Sequence, residues 1–368
     1  MNIPYEKKTS AKNKILNYVL NHGSASKVGL AKELNLSMPT VLANVNELME
    51  RGIIVEVGEY ESTGGRKARS LGIKKDYRYA VGMDISAHHV GIVLINMVGE
   101  VIKQDRKRIK FLPEVAYYSQ LSEILSLFLA SEINLSDVLG VGISLPGILN
   151  KEEKILIKSH ALQLENHSLK MMEQLFAFPV HFENDANAAM LAESPQVLEN
   201  AIYLSLNNTL GGSICMNGQI YYGQKQKAGE FGHMILVPEG KKCYCGKQGC
   251  ADAYCAASVL TQNGEIPLDI FMERLDKKEK QCVDIWNRYL DYLAILISNL
   301  RMAYDTDIIL GGDVGGYLPG YMVDLGERIF RYNLFDQDIS YLKNCSYQKE
   351  ASAVGAAKHF IQEYINQI

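Results

Sequence analysis

One histidine and three cysteines fall inside a single loop-rich stretch, AGEFGHMILVPEGKKCYCGKQGCADAY, residues 228–254. His233, Cys243, Cys245 and Cys250 supply one imidazole and three thiolates, a complete tetrahedral donor set for Zn²⁺. Gly246 and Gly249 ease the turn that brings the thiolates round. Two carboxylates flank the set: Glu230 stands three residues before His233, and Asp252 two after Cys250. A metal that ties the cysteine loop to His233 also fixes where both carboxylates point. The expectation is a structural zinc holding up one wall of a ligand pocket.

The chain that must position this wall has 368 residues, enough for two or three domains. Its hydrophobic fraction of 47% and charged fraction of 22% are those of a globular protein. No apolar run approaches the roughly 18 residues of a membrane span. The N-terminal MNIPYEKKTSAKNK lacks the apolar core of a secretion signal, so the expected location is the cytoplasm, with no membrane partner. In a reducing compartment a cysteine cluster speaks for metal over disulfide. Cys215, Cys255, Cys282 and Cys345 sit among apolar neighbours and read as core thiols.

The net charge of −4 is unevenly spread. Residues 1–80 hold 13 basic against 8 acidic side chains, a net of +5, which leaves −9 for the rest. A basic first segment on an acidic body suits a nucleic-acid-binding module on a larger domain. Periodicity says more than charge. Ile15, Leu16, Val19 and Leu20 repeat at helical spacing up to His22-Gly23; Val28, Ala31 and Leu34 mark a second short helix. Ser37 is an N-cap candidate, with Pro39 in the first turn of a third helix whose apolar face is Val41, Leu42, Val45, Leu48 and Met49. The period then switches to two, for a strand at 53–57, a turn at 61–65 and a return strand at 69–73. Three helices and a hairpin describe a winged helix-turn-helix, and the implied partner is a double-stranded DNA operator. Ser37, Thr40 and Asn44 are read as the outward side chains of the third helix, with Arg66 and Lys67 at the tip of the wing.

From Tyr79 the chain reads as a hairpin-led sheet followed by strand-helix alternation, and the pattern occurs twice. That predicts an α/β body of two lobes with a cleft between them. The expected division is 1–76 for the winged helix-turn-helix, 77–190 with the C-terminal helix 351–368 for the first lobe, and 191–350 for the second lobe with the zinc loop. The segment Glu183-Asn184-Asp185 ends a strand, where ligand sites of α/β sheets gather. His88, His89, His160, His167 and His181 read as ordinary surface or core histidines.

AGEFGH (228–233), CYCGKQGC (243–250), ENDANAAMLAE (183–193), VGISLPG and IILGG (308–312) together resemble the ROK family of repressors, open reading frames and sugar kinases. With STGGRK at the wing, the resemblance is to the family's repressor branch. It implies an actin-like (ribonuclease H-like), two-lobed body with a sugar in the cleft. By that resemblance Asn184 and Asp185 hold sugar hydroxyls, and Glu230, His233 and Asp252 complete the contacts. It also implies a homodimer or tetramer.

The chain departs from the family's kinases. Where they carry a turn resembling DIGGTK, this sequence has Asp84-Ile85-Ser86-Ala87-His88-His89, and Cβ atoms fill the space that phosphates need. The second phosphate loop, typically GTGIGAG, reads Asn207-Asn208-Thr209-Leu210-Gly211-Gly212-Ser213. Phosphoryl transfer depends on cradling phosphates and Mg²⁺, so the expectation is sugar binding without catalysis, in a sugar-responsive repressor of carbohydrate genes. The alternative is an ATP-dependent sugar kinase with an appended DNA-binding domain. Asp252, one methylene shorter than the family's usual glutamate, and the loop SHALQLENH leave the identity of the sugar open.

Overall fold

The computed structural model describes residues 10–59, 69–130, 133–193 and 198–368. The wing tip, with Arg66 and Lys67, lies outside the described residues. The N-terminal helices α1 (Ala11–His22), α2 (Lys27–Glu33) and α3 (Met38–Glu50) each open on a serine cap. Ser10, Ser26 and Ser37 accept from backbone N–H groups three residues ahead, which satisfies donors a helix start leaves orphaned. Asn35 takes a left-handed φ of 51° in the turn between α2 and α3. Strands β1 (Ile54–Glu59) and β2 (Arg69–Ile73) then pair antiparallel.

The first lobe begins with β3 (Tyr79–Ile85), β4 (His89–Asn96) and β5 (Val101–Arg108), an antiparallel meander. Helix α4 (Val115–Leu129) leads to β6 (Val138–Leu145), which runs parallel to β3. A small antiparallel sheet of β7 (Ile148–Asn150), β8 (Ile155–Ser159) and β9 (Leu164–Ser168) follows; sequence patterning gave no sign of it. After α5 (Lys170–Gln174), β10 (Val180–Asn184) joins β6 in parallel and runs straight into α6 (Asp185–Ala192).

The second lobe repeats the plan. Strands β11 (Asn200–Leu206), β12 (Leu210–Met216) and β13 (Gln219–Ile220) form the meander. Helices α7 (Asp252–Cys255), α8 (Ala257–Leu260), α9 (Leu268–Asp276) and α10 (Lys280–Tyr304) lead to β14 (Asp307–Gly311), parallel to β11. Helices α11 (Gly312–Gly315) and α12 (Met322–Ile329) precede β15 (Leu342–Asn344). The two five-stranded sheets have orders β10-β6-β3-β4-β5 and β13-β12-β11-β14-β15, the same topology twice. Among the described residues no helix is long and apolar enough to cross a membrane.

The last helix, α13 (Ala351–Gln367), returns to the first sheet. It lies so close that a Cβ on Gly82 would stand 1.8 Å from the Ala353 carbonyl oxygen. On its other flank a Cβ on Gly355 would stand 1.6 Å from the carbonyl of Ala188 in α6. Further along, Phe360, Ile361 and Ile365 of α13 share one buried cluster with Leu16, Leu30, Val41 and Leu48 of the N-terminal helices. Gln362 donates to Asn17 of α1 at 3.0 Å. The winged-helix unit and the first lobe therefore have a continuous apolar core.

Candidate functional site

A cavity of about 300 Å³ lies between the lobes. Its floor is the junction of β10 and α6. Asn184 caps α6, its Oδ1 accepting from the Asn187 N–H at 3.0 Å, while its Nδ2 donates to the Gly147 carbonyl at 3.0 Å. Asp185 accepts from the Ala186 N–H at 2.9 Å. Loss of water, then repulsion from the buried Asp84, pushes the Asp185 carboxyl up to about 7. Asp84 accepts from the Ser144 hydroxyl at 2.7 Å.

That shift has a pH consequence. The unfolded chain releases the Asp185 proton near its ordinary value of 3.8, and the folded chain near 7. The group's contribution to stability is therefore present below about 4 and lost as pH rises toward 7. Asp185→Asn is expected to flatten this slope, gaining roughly 1–3 kcal/mol on the wild type between pH 4 and 8. Urea unfolding of both proteins across that range checks it; parallel profiles would refute the shift.

The opposite wall comes from the second lobe. Glu230 and His233 belong to a 3₁₀ turn that buries Phe231, and the Glu230 carboxylate lies 3.9 Å from the His233 Nε2. The ligand atoms of His233, Cys243, Cys245 and Cys250 all lie within 4.8 Å of one another. The Sγ atoms of Cys245 and Cys250 are 3.7 Å apart, close to the ~3.8 Å edge of a tetrahedron with Zn–S bonds of about 2.3 Å. Among the described residues the buried Nδ1 of His233 has no hydrogen-bond partner, while Nε2 faces Glu230 and the Tyr244 hydroxyl. Burial, with His160 and Lys247 nearby, holds the imidazole below its ordinary value and so in its neutral, ligating form. The four residues fit a metal ion.

Asp252 is a correction. It does not line the cavity; it is 5% exposed and accepts from the Leu210 N–H at 2.7 Å, tying the end of the cysteine loop to the start of β12. Its short side chain satisfies that backbone donor where the pocket wall would need a longer reach. His160, read as an ordinary histidine, does line the cavity. Its ring meets His233 at 5.9 Å and Tyr244 at 5.6 Å, both edge to face. Spacing gave no signal for Lys151 and Tyr222 either, whereas Glu183 lies in the strand-end segment that the sequence singled out. Lys151 and Tyr222 both bond the buried Glu183 carboxylate, at 2.9 and 3.0 Å. Behind it, His181 stacks on His359 of α13 at 3.5 Å.

On α3 the outward reading holds for Ser37 alone, and its hydroxyl is occupied in capping. Thr40 and Asn44 are half-buried, flanking the buried stripe of Val41, Val45 and Leu48. Thr40 Oγ1 pairs with the Ser37 hydroxyl at 2.8 Å, and Asn44 Nδ2 donates to the Thr40 carbonyl at 2.7 Å. Asn46, two residues on from Asn44 and so on roughly the opposite side of α3, is exposed, and its Oδ1 accepts from the Lys27 ammonium of α2 at 3.3 Å.

Two lobes of one repeated topology, a cleft, and a histidine-cysteine cluster on its wall define the class. The ROK family model matches residues 80–363, so the chain belongs to the ROK family. A winged helix-turn-helix DNA-binding model matches residues 10–55. The chain is 25% identical over 344 residues to a putative xylose repressor of Caldicellulosiruptor sp. (strain Rt8B.4), covering 86% of each protein. It is similar to the crystal structure of a ROK family transcriptional regulator described as a homolog of the E. coli MLC protein. That match has a TM-score of 0.76 at 20% identity and covers 97% of each chain. A ROK glucokinase from Streptomyces griseus, solved with glucose and AMPPNP, matches with a TM-score of 0.61 at 22% identity over 76% of this chain and 98% of that one. The body is the actin-like fold.

Proposed function

We propose that the protein is a DNA-binding transcriptional repressor of carbohydrate genes, released from its operator by a sugar or sugar derivative in the interlobe cleft. The xylose repressor relative supports this reading. The observation that carries it is the mechanical path from cleft to DNA-binding unit. Asn184 and Asp185 begin α6; α6 meets α13 at backbone contact through Ala188 and Gly355; α13 shares its core with α1, α2 and α3. A ligand that closes the lobes onto Asp185, Glu230 and His233 moves α6, and α13 has no slack to absorb the movement. Coupling of this kind requires the ligand to bind the two arrangements with different affinity. A zinc ion on His233, Cys243, Cys245 and Cys250 fixes the second-lobe wall and the imidazole's orientation.

The DNA-binding unit spans residues 1–76 and acts within a homodimer or tetramer, so that two copies of α3 meet half-sites about one helical turn apart. Ser37 at the start of α3 offers a polar group to the DNA, and Arg66 and Lys67 supply the wing. The test is operator affinity with and without glucose, xylose and N-acetylglucosamine and their phosphates. At least a tenfold loss with one of them is expected, and no change across the panel would remove the effector from the reading.

The retained Asp185, poised near neutrality, favours the kinase as a second reading. Against it, the turn after β3 closes on itself, the Ser86 N–H bonding the His89 carbonyl at 2.9 Å, where a phosphate cradle needs free N–H groups. Incubation with ATP, Mg²⁺ and the same sugars is expected to yield no ADP above background; turnover would reverse this assignment.

A further inference from the structure

Three lysines line the cleft cavity, Lys151, Lys158 and Lys227. Lys151 is neutralised by Glu183, 2.9 Å away, and lies over the Tyr222 ring at 3.8 Å. The other two are exposed and, among the described residues, neither has a carboxylate within ion-pair distance. Lys158 stands on β8 of the first lobe. Its cross-strand neighbour is Glu165, and the two do not bridge. Lys227 precedes the Ala228-Gly229-Glu230 wall of the second lobe, and the Glu230 carboxylate feels its charge. The backbone at Lys158 is pinned: a Cβ on Gly147 would stand 2.4 Å from the Lys158 carbonyl oxygen, so this strand sits hard against the loop after β6.

Resting on the reading of the cleft as the effector site, we propose that the effector is an anionic sugar whose phosphate or carboxylate is held between Lys158 and Lys227. A neutral sugar gains little from two solvated ammonium groups. Two like charges carried by opposite lobes oppose closure, and one anion between them converts that repulsion into attraction. The anion thus binds the closed arrangement more tightly than the open one, the difference in affinity that release of DNA requires. The ring hydroxyls remain for Asn184, Asp185 and Glu230, on the part of the wall where carboxylates would repel an anion.

Titration calorimetry on the full-length protein at fixed ionic strength tests this. The probes are glucose, xylose and N-acetylglucosamine, their phosphates, glucuronate, and inorganic phosphate alone. At least one phosphate or glucuronate is expected to bind tenfold or more tighter than its neutral parent, with an advantage that shrinks as salt rises. The double substitution Lys158→Ala/Lys227→Ala is expected to abolish that advantage while the neutral parent binds at least as tightly as to the wild type, because the repulsion that opposes closure is gone; loss of binding by both forms would instead mark a folding defect. The charge reversal Lys227→Glu should make the preference favour the neutral sugar. Which arm responds distinguishes phosphate from carboxylate. If a neutral sugar binds as tightly as its anionic forms and releases operator DNA, this proposal fails while the repressor reading stands. Binding of inorganic phosphate as tight as that of any sugar phosphate also overturns it. If none of the sugars binds, the effector reading of the cleft fails with it.

Discussion

Cys245→Ser is expected to yield protein without bound metal, and the wild type is expected to carry one zinc per chain. Three donors remain, but a structural zinc site is closed by four, and serine is a poor ligand at neutral pH. The larger effect is on the cleft. Without the ion, the buried Nδ1 of His233 has no partner in the described structure, and the 3₁₀ turn carrying Glu230 loses its tie to the cysteine loop. Loosening a site residue by this route typically costs 10–100-fold in affinity. The variant should therefore need at least tenfold more effector to leave the operator, while binding operator normally in its absence, since the winged-helix core lies on the other lobe. Metal analysis and operator titration check both halves. A metal-free wild type, or an unchanged effector response in a metal-free variant, would end the zinc-wall idea.

Gly355→Ala is expected to be strongly destabilising for a single methyl group. Its Cβ would stand 1.6 Å from the Ala188 carbonyl oxygen and 2.9 Å from the Ala192 nitrogen, both backbone atoms that cannot swing aside. Helix propensity alone would favour alanine by about 1 kcal/mol. Overpacking against two rigid helices outweighs it, and a net loss of roughly 2–4 kcal/mol is expected. Gly320→Ala, where nothing lies within 4 Å of the new Cβ, is the control and should be near neutral. Chemical denaturation of the pair decides the matter. Where Gly355→Ala still folds, α13 must stand off α6, and operator affinity should respond less to effector. A stable variant with an intact response would show that α13 does not carry the signal.

Much of this molecule could be read from short-range chemistry. The clustering of His233 with Cys243, Cys245 and Cys250 was legible because the three thiols come from one tight loop, with Gly246 and Gly249 at φ of 93° and 81° making the turn. The three N-terminal helices were legible from apolar residues repeating at helical spacing, with Ser37 read as the cap of the third; the caps on Ser10 and Ser26 emerged only in the structure. The two sheets announced themselves by hydrophobic alternation. Thr40 and Asn44 were misjudged as outward because they flank the buried stripe, at an angle that periodicity resolves poorly.

Contacts across long stretches of chain were out of reach. Asp252 looks like a pocket carboxylate in its motif, and only the fold brings the Leu210 N–H to it. His160 and Lys158 sit in a segment with no motif, and the β7-β8-β9 sheet carries them to the cleft. The sequence by itself determined the donor atoms, the N-terminal helices and the doubled sheet plan, because those follow from neighbours along the chain. Tertiary structure decided which carboxylates line the cleft, which of its lysines lack an ion-pair partner among the described residues, and that α13 joins the cleft to the N-terminal helices. Those depend on backbone surfaces meeting at van der Waals distance, and glycines such as Gly82 and Gly355 permit the approach without indicating what will approach them.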